Sequence, residues 1–388
     1  MTDADRTGRR LAASLNPGPG AAQVTMATMV AVAVALAVSS VLVATTGGSP
    51  IGAVKALYDG SLSSPAAISS TLLYTAPLLL VAVGTCVCVR AGVFNLGQEG
   101  QVLIGALAGA AVGLRLALPG PVLLVLALVA AALAAGAWAG ISSLMHRVRG
   151  VNIVVSTLLM TFLAQQLVSY AVNTPWLLQE TRRGEATVSP QSNRLPEDRL
   201  LTSFGEYPGL QINTGLVLAL VAAVVIAVLI VRSRWGFRLT MLGLNPRAAR
   251  HAGVRVAAMS GTALALSGAF AGVAGAVLLT SPVGTNRLQG GISNNIGWDG
   301  LLVALVARNR PLVAIPVALL FGVLRSGGGF LASTGVPHFL VDVVKSLLVL
   351  AFVVPPVLTE ALRRRRESRR GGADADTAAP KAKEAVAS

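Results

Sequence analysis

Two short stretches place polar and ionisable side chains inside otherwise apolar surroundings. Residues 95–100 read Asn-Leu-Gly-Gln-Glu-Gly, and residues 295–300 read Asn-Ile-Gly-Trp-Asp-Gly. Both fit the pattern Asn, aliphatic, Gly, any residue, acid, Gly. A carboxylate in such surroundings is costly unless it has a task, so Glu99 and Asp299 each have two readings. Either can accept bonds from the N–H groups of a helix N-terminus, where the helix dipole favours an anion. Either can instead meet a solute or a gate. Asn95 suits an N-cap, and Gln98, three residues on, can complete a capping box. Asn295 can cap the second segment in the same way. Phe94 and Trp298 flank the motifs and can either stack on a planar ligand or simply pack. Gln101 extends the first polar stretch.

These residues must be held by membrane helices. The 388-residue chain is 54% hydrophobic and 12% charged, against about a quarter charged in soluble domains. Its apolar residues come in runs such as Val24–Ala44, Pro121–Met145, Asn213–Val231, Met259–Thr280 and Phe339–Val354. A helix of about 20 residues crosses a hydrocarbon core of ~30 Å. The expected fold is an all-α polytopic helix bundle. Its ten membrane segments lie near 24–45, 66–89, 99–115, 121–145, 151–173, 213–231, 259–280, 298–308, 311–326 and 338–356. Each motif follows a Gly-containing irregular stretch and opens a short segment. This predicts a 5+5 inverted repeat with broken helices, a plan that surrounds a midplane site. Non-helical backbone at that depth must line a cavity or be buried in protein.

The charge pattern supports membrane insertion and argues against nucleic acid as the partner. The net charge is +15, but the arginines sit in short loops and at both ends, as the positive-inside rule requires. With both termini cytoplasmic, the inner segments hold 22 of the 31 basic residues. The expected organisation is a cytoplasmic tail over 1–23, a transmembrane domain over 24–357 and a basic, then disordered, tail over 358–388. The domain includes an extracytoplasmic loop at 174–212 and a cytoplasmic loop at 233–258. Arg363–Arg370 reads as a solvated basic run, with membrane lipid a second reading, and Asp342 and Lys345 as an ion pair on one helix face. The apolar run after Arg6, Arg9 and Arg10 is too long for a signal-peptide core and reads as an uncleaved first helix.

Within the cytoplasmic loop, Asn245 can cap, Pro246 suits the first helical position and Gly253 suits the end. A two-turn helix follows. Its small residues suit it as a docking knob, or it lies as a plain interfacial helix. No Walker A pattern accompanies any of the four lysines, so the chain has no P-loop for ATP. His146, His251 and His338 are scattered, and Cys86 and Cys88 stand in an apolar run as buried thiols. Neither set makes a metal site. Catalysis by this chain is not expected, and no cofactor is.

Phe94 to Gln101, Gly243 to Gly253, and Trp298-Asp-Gly300 followed by Arg308-Asn-Arg-Pro311 resemble the permease subunits of bacterial ABC importers. The branch is that of ribose-type sugar and branched-chain amino-acid permeases, and the chain looks closest to its nucleoside group, whose lipoprotein-dependent members carry Phe-Asn-Ile-Gly-Ala-Glu-Gly-Gln. The resemblance runs from about residue 50 to 355. It implies that ATP acts on a separate ATPase subunit, with a second, usually different, permease and an extracytoplasmic substrate-binding lipoprotein, in a bacterial cell membrane. It implies a coupling segment made of Gly243, Asn245, Arg247, Ala248, Ala249 and Gly253, although Arg247 replaces the Glu of the family signature. The implied solute pathway runs past Phe94, Asn95, Gln98, Glu99, Gln101, Asn295, Trp298 and Asp299. A nucleoside is the leading solute and a simple sugar the second. A stand-alone ion-coupled transporter with Glu99 or Asp299 as the ion site is the alternative class.

Overall fold

A computed structural model describes residues 21–45, 49–181, 189–204, 209–332 and scattered positions between 342 and 355. The tail over 358–388, part of the last expected span and Lys345 lie outside the described residues. The chain divides into two compact units, Ile51–Gly335 and the two terminal stretches Met1–Pro50 and Val336–Ser388. In the terminal unit, helix α1 (Ala21–Thr45) is apolar along its length and exposes Met29, Val34 and Val41.

The larger unit is a helix bundle, as composition predicts. Helix α2 (Pro50–Ser61) comes first, with proline at its opening position, where the missing N–H costs nothing. Helix α3 (Pro65–Arg90) starts at Ser64, whose hydroxyl accepts from the Ala67 N–H at 3.2 Å. Then come α4 (Gln98–Arg115), α5 (Gly120–Arg149), α6 (Ile153–Asn173) and α7 (Thr214–Arg232). After them come α8 (Arg234–Leu244), α9 (Pro246–His251), α10 (Val256–Thr280), α11 (Ile296–Val306) and α12 (Pro311–Ala332). Neither α2 nor α8 is among the segments expected from the sequence, and α8 lies in the stretch expected to be a loop, 233–258. Both are too short to span, and α8 offers only a narrow buried stripe of Gly236, Leu239 and Leu242.

Six described helices, α3, α5, α6, α7, α10 and α12, are long and apolar enough to cross a membrane. α3 and α10 form the centre. α3 is buried almost throughout from Thr75 to Cys88 and packs against α10, α11, α12 and α7. α10 packs against α3, α4 and α5. The outer helices α5, α6, α7 and α12 keep wide apolar faces exposed, as Leu133, Leu159 and Val221 show. Those faces fit a hydrocarbon solvent, in which apolar exposure carries no penalty.

α11 has 11 residues, about 16 Å of helix. It covers about half a bilayer and is preceded by non-helical chain over 281–295. α4 likewise follows a non-helical stretch, 91–97. The sequence 298–308 is therefore a half-span rather than a crossing.

The long loop does not stand free. Its described part is sewn to the stretch before α11. Ser192 N–H bonds to the Leu288 carbonyl, Leu195 N–H to the Asn286 carbonyl and Leu201 N–H to the Thr280 carbonyl. Glu180 pairs with Arg287. A two-residue antiparallel pairing, β1 (Ser203–Phe204) with β2 (Ile212–Asn213), closes it. Leu178, Leu195 and Leu288 are buried in one apolar cluster with Leu103, Ala164 and Val168. The loop thus caps the ends of α4 and α6.

Candidate functional site

The two motifs meet. Glu99 lies in the first turn of α4, and its carboxylate reaches the start of α11. Oε2 accepts from the Gly297 N–H at 2.7 Å and Oε1 from the Asn295 N–H at 3.0 Å, with the Ser293 hydroxyl donating to Oε1 as well. A carboxylate on the first N–H groups of a helix satisfies donors the helix cannot satisfy itself and meets the positive end of its dipole. Gly297 is required by this approach. A Cβ on it would fall 2.3 Å from the Glu99 nitrogen.

Asp299 has a different partner. Its Oδ2 lies 2.9 Å from Nη1 of Arg325, on α12, and both side chains are almost fully buried. Nη2 of Arg325 donates to the carbonyls of Asn294 and Ser293, and the guanidinium stands 5.1 Å from the ring centre of Tyr74 on α3. Arg325 thus ties α12, α3, the non-helical approach and the first turn of α11 together. The sequence reading missed it. The signal was there: a lone arginine inside an apolar span needs a partner.

The amides of the first motif form a second network. Asn95 Nδ2 donates to Gln101 Oε1 at 2.8 Å, and Gln101 Nε2 returns a bond to Asn95 Oδ1 at 3.0 Å. Gln98 Nε2 donates to Thr85 Oγ1 at 2.8 Å and to Ser267 Oγ at 3.1 Å. Asn95 Nδ2 also reaches Ser267 Oγ at 3.1 Å. Helices α3, α4 and α10 are thereby joined through polar atoms.

This arrangement corrects the expected capping. The cap position of α4 is Gly97, not Asn95, and carries no side-chain bond. Gln98 turns to Thr85 and Ser267 instead of back to Asn95, because a buried amide takes whatever partners the neighbouring helices offer. Asn295 does hold the cap position of α11, but in left-handed backbone at φ 67° and without a side-chain cap. Glu99 supplies that cap.

The structure brings Asn95, Gln98 and Gln101 together in one buried network, with Glu99 close to α11 and Asp299 beside Arg325. All five are buried and bonded to protein. Phe94 is half exposed, Trp298 is partly buried and Asn295 is exposed.

Residues 233–258, expected from the sequence to form a cytoplasmic loop, occupy α8, α9 and the start of α10. Asn245 Oδ1 accepts from the N–H groups of Arg247 and Ala248 at 3.0 and 3.1 Å, and Pro246 opens α9. Gly253 has φ +78° just past its end. Leu244, Arg247 and Ala248 are exposed, whereas Ala249 is buried and faces the bundle. Gly243 touches the turn after α3. A Cβ there would lie 2.3 Å from the Arg90 carbonyl oxygen and 3.0 Å from the Gly92 nitrogen. The segment before α9 is thus in backbone contact with the chain that leads into Asn95–Gln101. Among the described residues no group of His, Cys, Asp and Glu could hold a metal, and Cys86 and Cys88 are buried free thiols.

A multi-pass bundle in which the 18-residue helix α4 and the 11-residue helix α11 meet at their N-termini, with the short helix α9 in a basic loop, defines the class of a membrane transport subunit. Residues 67–353 match the family described as branched-chain amino acid transport system / permease component, and the chain belongs to that family. It is 31% identical over 327 residues to the glucose ABC transporter permease protein TsgB13 of Haloferax volcanii, covering 82% of this chain and 84% of the relative. It is 30% identical over 325 residues to the guanosine ABC transporter permease protein NupP of Bacillus subtilis, covering 83% and 91%. It is 28% identical over 278 residues to NupQ, a second guanosine permease protein of that bacterium, covering 67% and 80%. The chain is therefore a multi-pass membrane permease of an ABC importer, not an enzyme. Such a permease binds no cofactor itself and works with an ATPase and a substrate-binding partner. The ion-coupled alternative falls with this assignment.

Proposed function

We propose that this permease imports nucleosides by alternating access, driven by ATP hydrolysis on separate subunits docked at residues 243–253. Nucleosides are favoured because two of the relatives above are named for guanosine. The same pair supports a second, different permease beside this one, since one bacterium carries both. An extracytoplasmic lipoprotein would deliver the solute, and both termini would be cytoplasmic, in keeping with the arginine distribution.

The observation that carries the mechanism is the backbone contact of Gly243 with Arg90 and Gly92. Motion imposed on α8 and α9 by an ATPase reaches the 91–97 stretch directly, and through it Asn95–Gln101 and the Glu99 link to α11. Phe94, Asn295 and Trp298 keep exposure for a solute. In this reading Asn95, Gln98, Glu99, Gln101 and Asp299 shape the pathway from behind. Gly243, Asn245, Arg247 and Ala248 meet the ATPase, with Ala249 anchoring α9 and Gly253 ending it.

A simple sugar is the second reading, supported by the glucose relative. The test is uptake of labelled guanosine, uridine and glucose into vesicles holding this chain with its co-purifying subunits. ATP-dependent guanosine uptake suppressed by unlabelled nucleoside but not by glucose is expected. Uptake of glucose alone transfers the assignment to sugars.

A further inference from the structure

From Glu206 to Asp299 the sequence contains no acidic residue between them, yet it holds Arg232, Arg234, Arg238, Arg247, Arg250, Arg255 and Arg287. Three of these meet where α7 turns into α8. Ser233 caps α8 by accepting from the Gly236 N–H at 3.0 Å. Gly236 lies directly against the Leu229 and Ile230 carbonyls, which makes the turn tight. Arg232, Arg234 and Arg238 are left exposed around a depression of about 580 Å³ shared with Val231, Ser233 and Phe237. Among the described residues none of the three guanidiniums has an ion-pair or hydrogen-bond partner.

The corner also has an apolar side, part of the broad exposed face of α7 that includes Leu218, Val225 and Leu229. Val217, Val221, Val224, Val228 and Val231 are all exposed on α7. Their spacing of four, three, four and three places them on one helix face. The stripe ends at Val231, 79% exposed, beside Phe237, 67% exposed. A soluble acidic protein would complement the arginines alone, with no part in covering the valine stripe, which lies on a membrane helix. A neutral lipid would complement the stripe and leave three cations unpaired. An amphiphile with an anionic head complements both, and the start of α8 adds the positive end of a helix dipole.

We propose that the α7–α8 corner is a binding site for an anionic phospholipid. Its phosphodiester is held by Arg232, Arg234 and Arg238, and an acyl chain lies along the valine stripe. Because α8 carries Gly243 and leads into α9, the bound head group also steadies the segment that, in the function proposed above, couples the bundle to its ATPase.

The test reconstitutes the full chain in phosphatidylcholine vesicles carrying diazirine-bearing phosphatidylglycerol or, in parallel, diazirine-bearing phosphatidylcholine. Illumination followed by peptide mapping locates the label. Phosphatidylglycerol should label the peptide covering 217–238 roughly tenfold more than phosphatidylcholine. The triple change Arg232→Gln, Arg234→Gln, Arg238→Gln should remove that preference, and the corresponding triple lysine variant should keep it. Changing Arg247, Arg250 and Arg255 to Gln should leave it intact, and inorganic phosphate should not compete. Equal labelling by both lipids, or a preference that survives in the glutamine variant, overturns the proposal. Phosphate competition reassigns the site to a soluble anion and overturns it too. If the glutamine variant does not fold, the comparison of the two lipids on the native chain decides alone.

Discussion

The carboxylate of Glu99, in the first turn of α4, accepts a 2.7 Å bond from the Gly297 N–H in the first turn of α11, 198 residues further on. The two acidic motifs thus do different work. One acid caps the helix opened by the other motif, and the second, Asp299, is neutralised by Arg325. Glu99→Gln keeps one acceptor but loses the charge, and Glu99→Ala loses both. We expect thermal stability of the purified chain to fall by about 1–3 kcal/mol for Ala, and by less for Gln. Thermal melts in detergent of the three forms test this ranking. Equal melting temperatures would mean that the α4–α11 link carries no stability.

Arg325→Ala leaves Asp299 buried without its guanidinium, a change that costs about 3–5 kcal/mol in comparable buried pairs. Replacing both together, as in Arg325→Met with Asp299→Leu, should recover much of that loss. A double-mutant cycle on melting temperature reads the coupling. A double variant as unstable as Arg325→Ala would show that Arg325 acts chiefly through the Ser293 and Asn294 carbonyls.

Asn245→Ala removes the acceptor for the Arg247 and Ala248 N–H groups and should weaken the start of α9 by about 1 kcal/mol. The bundle does not depend on that cap, so abundance and melting should change little. ATP-dependent uptake should fall, and Asn245→Asp should restore it. Loss of abundance rather than uptake would assign Asn245 to folding.

Gly243→Ala places a methyl group against the Arg90 carbonyl. Uptake should drop severely, whereas Gly140→Ala, at a site where a Cβ meets nothing within 4 Å, should be silent or stabilise by up to about 1 kcal/mol. Uptake assays and melts on the pair distinguish a broken contact from a general intolerance of alanine.

Much of the bundle was legible because apolar length alone marks a membrane helix, and the start of α3, α5, α6, α7 and α12 falls within a few residues of the runs read from composition. The short helices α2 and α8 were not, since neither has the length or the continuous apolarity that such reading depends on. The pairing of the two motifs was visible as a repeated pattern, and the acids as unusual. What sequence could not supply was the partner of each. Capping rules assign Asn95 and Gln98 to local backbone; Asn95 does accept from the Gly97 N–H, yet Thr85 on α3 and Ser267 on α10 take the amide of Gln98. Arg325 escaped for a related reason: a lone cation inside a span signals that a partner exists without saying which carboxylate it is.

The seam between α4 and α10 restricts how this protein can move. Gly105 and Gly272 touch backbone to backbone, so that a Cβ on Gly105 would lie 2.3 Å from the Gly272 Cα. One turn on, Gly275 meets the Val102 carbonyl, and on its other side Gly272 meets the Ala131 carbonyl of α5. Sliding one of these helices along another by a single residue would drive a side chain into space that main chain already fills. Shear is thereby closed as a degree of freedom, and the three helices can only turn as one block. The joints of the transport cycle must then lie in the non-helical stretches 91–97 and 281–295, which lead into α4 and α11.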